Sequence, residues 1–279
     1  MPVLSDGGRQ DWRRRTTWAQ LAIWGGWLLG VALFAYSFEF ISDRTIWAFV
    51  WDAPEQAGDL LERMVPPQWT YMDRLWRALW DTINIATLGT LLSIVIAVPV
   101  AFLAARNTTP SAGFVRPLAL FVIVASRSIN ALIWALLLVA ILGPGVLAGI
   151  FAIAFRSIGF VAKLLYEAIE EIDHAQVEAI TATGAGRGQV IAYGIAPQIM
   201  PAFAGITVFR WDINIRESTV LGLVGAGGIG LQLNAALGEL AWSRVSVILI
   251  AIFVTVIVSE WVSALSLIHI SEPTRRTPI

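Results

Sequence analysis

The sequence predicts an all-α, polytopic membrane protein with six transmembrane helices. Three observations carry that fold class. The chain is 57% hydrophobic and 14% charged, with a mean hydropathy of +0.71, where soluble domains carry about 25% charged residues. Six runs, residues 18–38, 82–104, 117–142, 146–166, 200–224 and 245–264, are each apolar over roughly the twenty residues that cross a bilayer. The basic residues of the short loops fall on one side when the runs are threaded alternately. Each run is expected to be a helix, because a backbone in lipid must satisfy its own hydrogen bonds.

The first run follows Arg9, Arg13, Arg14 and Arg15. A basic segment before an apolar core is also the layout of a signal peptide, but this run is long enough to span and no small-residue cleavage site closes it. It is therefore predicted to be a retained first span. With the N-terminus in the cytoplasm, Arg106, Arg116, Lys163 and Arg187 also lie inside or at the inner edge. Residues 39–81 then fall outside with mixed charge, Asp43, Asp52, Glu55, Asp59, Glu62 and Asp73 against Arg44, Arg63, Arg74 and Arg77. Trp47, Trp51, Trp69 and Trp76 in this loop suit the headgroup level, so part of it is expected to lie flat as an interfacial helix.

The absence of cysteine excludes disulfides, thiol catalysis and Cys-ligated metals. A net charge of −1 with no basic patch argues against a nucleic-acid partner. His174 has no second histidine before residue 265, so no metal site is expected. Residues 265–279 stand apart. The peptide from Leu265 to Arg275 is the in-frame translation of a transposase mosaic-end sequencing adapter, so it is read as non-native and excluded from fold reasoning. The authentic chain is expected to end near Ala264, with a short native tail missing. Three segments follow: 1–79, an N-terminal tail, first span and external loop; 80–264, the main transmembrane domain; and 265–279, the adapter tail.

A polar, glycine-rich segment separates the fourth and fifth spans, on the cytoplasmic side of this topology. A short helix is expected over residues 175–183, broken by Gly184, Gly186 and Gly188. Gly184 can take the positive φ that turns the chain out of that helix. Pro197 and Pro201 mark the entry to the fifth span, where a missing N–H costs least. A small helix held off the membrane between two rigid connections can transmit force from a moving partner.

Glu178-Ala179-Ile180, followed by Gly184 and then Pro197, resembles the Glu-Ala-Ala…Gly segment by which permease subunits of bacterial ABC importers grip their ATPase. The match departs at Ile180 and at Ala196. Arg127-Ser128-Ile129-Asn130 resembles the Arg-Ser-Ile-Pro turn of methionine and phosphonate importer permeases, and the stretch from Asn214 to Gly230 looks most like the phosphonate-type members. The resemblance covers residues 80–264 well and the N-terminal third only loosely. It implies a methionine-permease-like core of five helices plus an N-terminal helix in a bacterial inner membrane. It also implies a second permease copy, an ABC ATPase dimer, and a periplasmic or lipid-anchored substrate-binding protein. ATP would be bound and hydrolysed by the partner subunit, so no cofactor and no enzymatic activity is expected of this chain. Glu178, Ala179, Gly184 and Pro197 become ATPase-coupling residues, and the substrate a phosphonate-like oxyanion: phosphonate, phosphite or phosphate ester.

Arg127, Arg156, Arg210, Asp212, Arg216 and Glu217 fall within or near predicted spans. Ionisable groups there must face a partner, a cavity or the interface. Asp212 and Arg216 are spaced to pair along a helix. Two readings stay open. The charges neutralise one another at helix interfaces, or Arg127, Asn130, Arg210, Asn214 and Arg216 line a substrate path and offset the charge of an anion. The asparagine amides suit either role.

Gly225-x-Gly227-x-x-Gly230 spells a dinucleotide fingerprint as a string, but no strand precedes it and no βαβ unit surrounds it. The glycines are read as a break that lets backbones approach closely. By resemblance, Gly225, Gly227, Gly228 and Gly230 form the outer gate of the path. An amino-acid (methionine-type) permease is the rival within the class. An intramembrane protease or lipid transferase is disfavoured because the spans hold no Ser/His pair, paired Asp motif or His cluster. A structural membrane protein without transport is the third reading.

Overall fold

The computed structural model describes residues 3–6, 9–12 and 16–271. Its long elements are helical, as the composition predicts. One short antiparallel hairpin departs from an all-α chain: β1 (Val3–Asp6) pairs with β2 (Arg9–Trp12), Val3 opposite Trp12 and Asp6 opposite Arg9. Arg13, Arg14 and Arg15 lie outside the described residues.

The chain divides into two compact units, residues 1–62 and 63–279. The first holds the hairpin, α1 (Thr17–Ser42) and most of α2 (Trp47–Met64). The apolar side chains of α1 are spread over every face, the pattern of a lipid-facing span. Helix α2 is the amphipathic helix expected between the first two spans.

The second unit holds a 3₁₀ turn (Trp69–Tyr71), α3 (Met72–Ala104), α4 (Val115–Ser128), α5 (Ala131–Leu142) and α6 (Val146–Glu170). It continues with α7 (His174–Ala182), a single turn α8 (Arg187–Gln189), a π-helical turn (Val190–Ile195) and α9 (Ala196–Leu221). A 3₁₀ turn (Gly222–Val224), α10 (Ile229–Gly238) and α11 (Trp242–Ser271) complete it. The packed unit starts before the expected boundary at residue 80. Ser243 accepts the Gln68 N–H at 3.0 Å through its carbonyl, and its hydroxyl donates to the Arg63 carbonyl at 3.2 Å. Helix α3 likewise begins ten residues ahead of the expected residue 82. Its first turns carry Asp73, Arg74 and Arg77, which lower the local hydropathy, while Leu75, Ala78 and Leu79 between them are buried.

Among the described residues, five helical stretches are long and apolar enough to cross a membrane. The expected third span, residues 117–142, is the exception: α4 and α5 meet at an 88° bend. Ile129 and Asn130 are both extended, with ψ of 129° and 146°, and the Asn130 side-chain oxygen accepts the Leu132 N–H at 3.1 Å. A capping residue in the middle of an apolar run starts a new helix in a new direction.

Small residues set the packing of the core. Ala97, Ala101 and Ala104 on α3 are fully buried against Val161, Leu165 and Ile169 of α6. A Cβ on Gly89 of α3 would lie 2.7 Å from Ile153 Cγ2 of α6. Such spacing lets membrane helices approach closely. A second apolar cluster joins Leu75 and Leu79 to α10 and α11, and a third joins Ile85 to α5, α6 and the end of α9.

Candidate functional site

Helix α7 is built as a separate, braced element. Asp173 caps it, its Oδ1 accepting the Ala175 N–H at 2.9 Å. It ends at Thr183, and Gly184 turns away at φ +83°, with open space around the position of a Cβ. Val177 and Ile180 are half-buried on its inner face. A Cβ on Gly194 would lie 3.4 Å from Ile180 Cδ1 and 3.6 Å from Val177 Cα, so the glycine gives α7 its seat. The outer face is a stripe of exposed residues one turn apart: Ala175, Glu178, Ala179 and Ala182. Glu178 and Ala179 therefore sit where a partner can reach them.

One set of hydrogen bonds ties this element to α9, and a second ties the loop after α3 to the end of α6. Gln198, in the first turn of α9, accepts the Asp173 N–H at 2.9 Å and donates to the Gly194 carbonyl at 2.7 Å. Pro197 lies beside it at the helix start. Lacking an N–H, it removes one bond from the helical ladder directly after the wide Val190–Ile195 turn. On the other side, Asn107 donates to the Ile169 carbonyl at 2.6 Å, and Glu170 accepts the Arg106 N–H at 2.8 Å. Arg116 donates to the Ala104 carbonyl at 3.0 Å and stands 3.7 Å from Glu170. The end of α6, the loop after α3, helix α7 and the start of α9 are thus joined.

Five charged side chains of α6 and α9 form two groups. In the first, Arg210 on α9 is 3% exposed, donates to Ser157 Oγ at 2.9 Å and lies over the Phe160 ring at 5.1 Å. Ser157 donates to the Asn214 side-chain oxygen at 3.2 Å, and the Asn214 amide donates to Thr90 Oγ1 at 2.7 Å. This chain of buried groups staples α3, α6 and α9. Glu217 closes it, one oxygen 3.2 Å from Arg210 and the other 3.2 Å from Arg156. In the second group, Asp212 pairs with Arg216 and accepts from Ser259 of α11 at 2.9 Å.

The expected path residues accordingly part company. Arg210 and Asn214 share one network, while Arg216 is held in a separate pair toward α11. Arg127 is exposed at the end of α4, and among the described residues no carboxylate pairs with it. Asn130 spends its side-chain oxygen as the cap of α5. Arg127 still lies close to the first group. Ser126 donates to the Phe155 carbonyl and accepts the Gly159 N–H at 2.9 Å, and a Cβ on Gly159 would be 2.8 Å from Arg127 Cγ. Arg127, Arg156 and Arg210 each lie roughly 15–20 Å along their helices from one end.

The glycines at the far end of α9 are packed rather than open. Gly225, Gly227 and Gly228 have φ of +88°, +84° and +72°, which only glycine adopts freely. A Cβ on Gly228 would be 2.6 Å from Thr82 Oγ1, which accepts the Ile229 N–H at 2.8 Å. Gly230 approaches the Thr219 carbonyl so closely that no side chain fits. The segment follows α9 and opens α10, with no strand before it, so the dinucleotide string has no structural counterpart.

Sequence reading missed Gln198, Asn107, Ser126, Ser157 and Thr90. A Gln after a proline and hydroxyls on helices carry no pattern that distinguishes a tertiary bond from a local one.

A family model described as binding-protein-dependent transport system inner membrane component matches residues 63–267. The chain is 36% identical over 254 residues to the phosphite transport system permease protein PtxC of Stutzerimonas stutzeri, covering 91% of this chain and 88% of that protein. It is 37% identical over 245 residues to the phosphate-import permease protein PhnE of Mycolicibacterium smegmatis, covering 88% of this chain but spanning only 45% of that relative's length. Among solved structures, an inward-facing MetNI methionine ABC transporter chain matches with a TM-score of 0.63 at 20% identity, over 73% of this chain and 99% of that one.

Proposed function

The chain belongs to the family of binding-protein-dependent transport system inner membrane components, and from that premise we propose that it is the permease subunit of an ABC importer for phosphonate-like oxyanions. Phosphonate, phosphite and phosphate ester share the charge and tetrahedral shape concerned. The α7 stripe of Ala175, Glu178, Ala179 and Ala182 is the surface that meets the ATPase, with Gly184 ending the helix and Pro197 starting α9. Arg106, Arg116, Lys163 and Arg187 lie on the segments around α7, a basic bias that supports a cytoplasmic side for it. ATP is bound and hydrolysed by the partner subunit. A second copy of the permease completes the path about a two-fold axis, and an external binding protein delivers the ligand. Closure of the ATPases moves α7, and through Gln198 the start of α9, alternating access to the path.

The observation that carries the oxyanion reading is the charge balance inside the spans. Arg156 and Arg210 share a single carboxylate, Glu217, and Arg127 has no carboxylate partner among the described residues. An uncompensated excess of cations within the spans is costly, and an anion crossing there relieves it. Arg127, Arg156 and Arg210 are assigned to the path, whereas Asn214 holds helices and Arg216 is neutralised by Asp212. The methionine alternative draws on permeases that match over less of the chain, 35% identical over 91 residues and 26% over 172, and on a structural likeness at 20% identity, which speaks for the fold alone. The test is growth of a bacterium stripped of its own phosphorus importers and supplied with this permease and its partner subunits. Growth on phosphite or methylphosphonate as sole phosphorus source is expected. A strain that assembles the complex and grows on none of the three oxyanion classes would sink the proposal.

A further inference from the structure

We infer that the carboxylate of Glu217 holds, in the substrate-free permease, the place that the oxyanion takes in transit, so that Glu217 is a built-in counter-ion the substrate displaces. The inference rests on the oxyanion reading above.

The geometry is that of an occupied anion site. The two Glu217 oxygens are each 3.2 Å from a different arginine, Arg156 of α6 and Arg210 of α9. Two cations divided over two oxygens is the arrangement a phosphonate group accepts from a pair of guanidinium groups. Arg210 is fixed there: its Nε is spent on Ser157, its face lies on Phe160 and its side chain is 3% exposed. Glu217 and Arg156 are different, with side chains 23% and 31% exposed. The carboxylate has an open side to turn toward, whereas Arg210 does not.

Neutralisation alone does not require this arrangement. Asp212 and Arg216, one turn apart on the same helix, show what a simple pair looks like: one acid, one base, and a hydroxyl to complete it. The Glu217 group instead has two arginines for one acid, and a third arginine close by. Ser126 donates to the Phe155 carbonyl and lies 3.4 Å from the Arg156 carbonyl, which sets the end of α4 against the turn of α6 that carries Arg156. Arg127, next in the chain, has no acidic partner among the described residues.

With Glu217 in place the group has a surplus of two positive charges. A dianionic head group that takes the carboxylate's place between Arg156 and Arg210, with Glu217 turned aside and Arg127 close by, removes that surplus; a monoanion of the same shape leaves half of it. Selectivity for the dianion follows. Competition from Glu217 also keeps affinity low, as a path requires if the ligand is to leave again.

The test uses the assembled permease–ATPase complex in lipid nanodiscs at a pH above the second ionisation of methylphosphonate, which is then the dianionic probe, with methanesulfonate as the monoanionic one. Glu217→Gln removes the competitor while keeping the side-chain shape. It is expected to bind methylphosphonate about tenfold more tightly than the wild type, and Glu217→Asp is expected to stay near wild type. Arg156→Gln leaves a neutral Arg210–Glu217 pair and is expected to lose methylphosphonate affinity about tenfold, with methanesulfonate little changed. An assembled Glu217→Gln complex with unaltered affinity overturns the inference. If that variant does not assemble, Arg156→Gln decides: unaltered methylphosphonate binding overturns it. A wild-type complex that handles none of the oxyanions removes the underlying reading as well, an outcome visible before any variant is made.

Discussion

Gln198 holds Asp173 from both sides: its side-chain oxygen accepts the Asp173 N–H at 2.9 Å, and its amide reaches back to the Asp173 carbonyl at 3.4 Å. This one side chain ties the cap of α7 to the first turn of α9. Gln198→Ala removes about 1 kcal/mol of hydrogen bonding at each full contact, a small loss of stability. The expected consequence is mechanical: ATP hydrolysis continues while substrate moved per ATP falls severalfold. Simultaneous measurement of uptake and phosphate release in reconstituted vesicles checks it; an unchanged ratio would separate Gln198 from coupling.

The seat of α7 on Gly194 gives a graded series. A Cβ there would meet Ile180 at 3.4 Å, an ordinary contact. Gly194→Ala is expected to assemble and transport like the wild type, whereas Gly194→Leu overfills the seat at about 1–3 kcal/mol and lifts α7. Cross-linking of Ala179→Cys to the ATPase reports the position of the helix; equal yields in both backgrounds would contradict the expectation. Ile180, the departure from the Glu-Ala-Ala pattern, thereby acquires a physical role. It fills the space that Gly194 leaves open.

The fold class, the span locations and the α7 segment were legible because each leaves a pattern in residue type: apolar length, a polar interruption, glycine and proline at the boundaries. The Asp212–Arg216 pair was legible too, since both partners lie on one helix at a spacing that geometry dictates. The Glu217 group was not. Its arginines come from a position seven residues away and from another helix, and no local spacing reports that. The broken third span was hidden for a similar reason. Residues 117–142 are apolar enough to run straight through, and the break depends on the backbone at Ile129 and the cap formed by Asn130.

The buried staple of α3, α6 and α9 should be cooperative. Ser157→Ala takes the acceptor from the Arg210 Nε and the donor from Asn214. Leaving buried polar groups without partners costs about 1–3 kcal/mol. Thr90→Val removes only the far end of the chain, the acceptor for the Asn214 amide. Thermal unfolding of the two single variants and the double variant in detergent is expected to show non-additive losses. Simple additivity would mean that the three helices are stapled independently.

Glycine substitutions at the two ends of α10 should differ sharply. Gly230→Ala places a Cβ against the Thr219 carbonyl and the Gly222 backbone, none of which can rotate aside. Loss of the assembled permease is expected. Gly238 has nothing within 4 Å of the added carbon, so Gly238→Ala is expected to fall within about 0.5 kcal/mol of wild type. Yields of monodisperse protein after purification distinguish the two; an assembled Gly230→Ala variant would show that the segment is looser than its packing indicates.

The most direct measurement of the central claim is ATP-driven accumulation in proteoliposomes holding the permease, its ATPase and its binding protein, with labelled phosphite, methylphosphonate and methionine offered side by side. The account expects saturable uptake of at least one of the two oxyanions, dependent on ATP and lost in the Arg156→Gln variant, with no uptake of methionine. Methionine accumulation, or oxyanion uptake indifferent to Arg156, would contradict it.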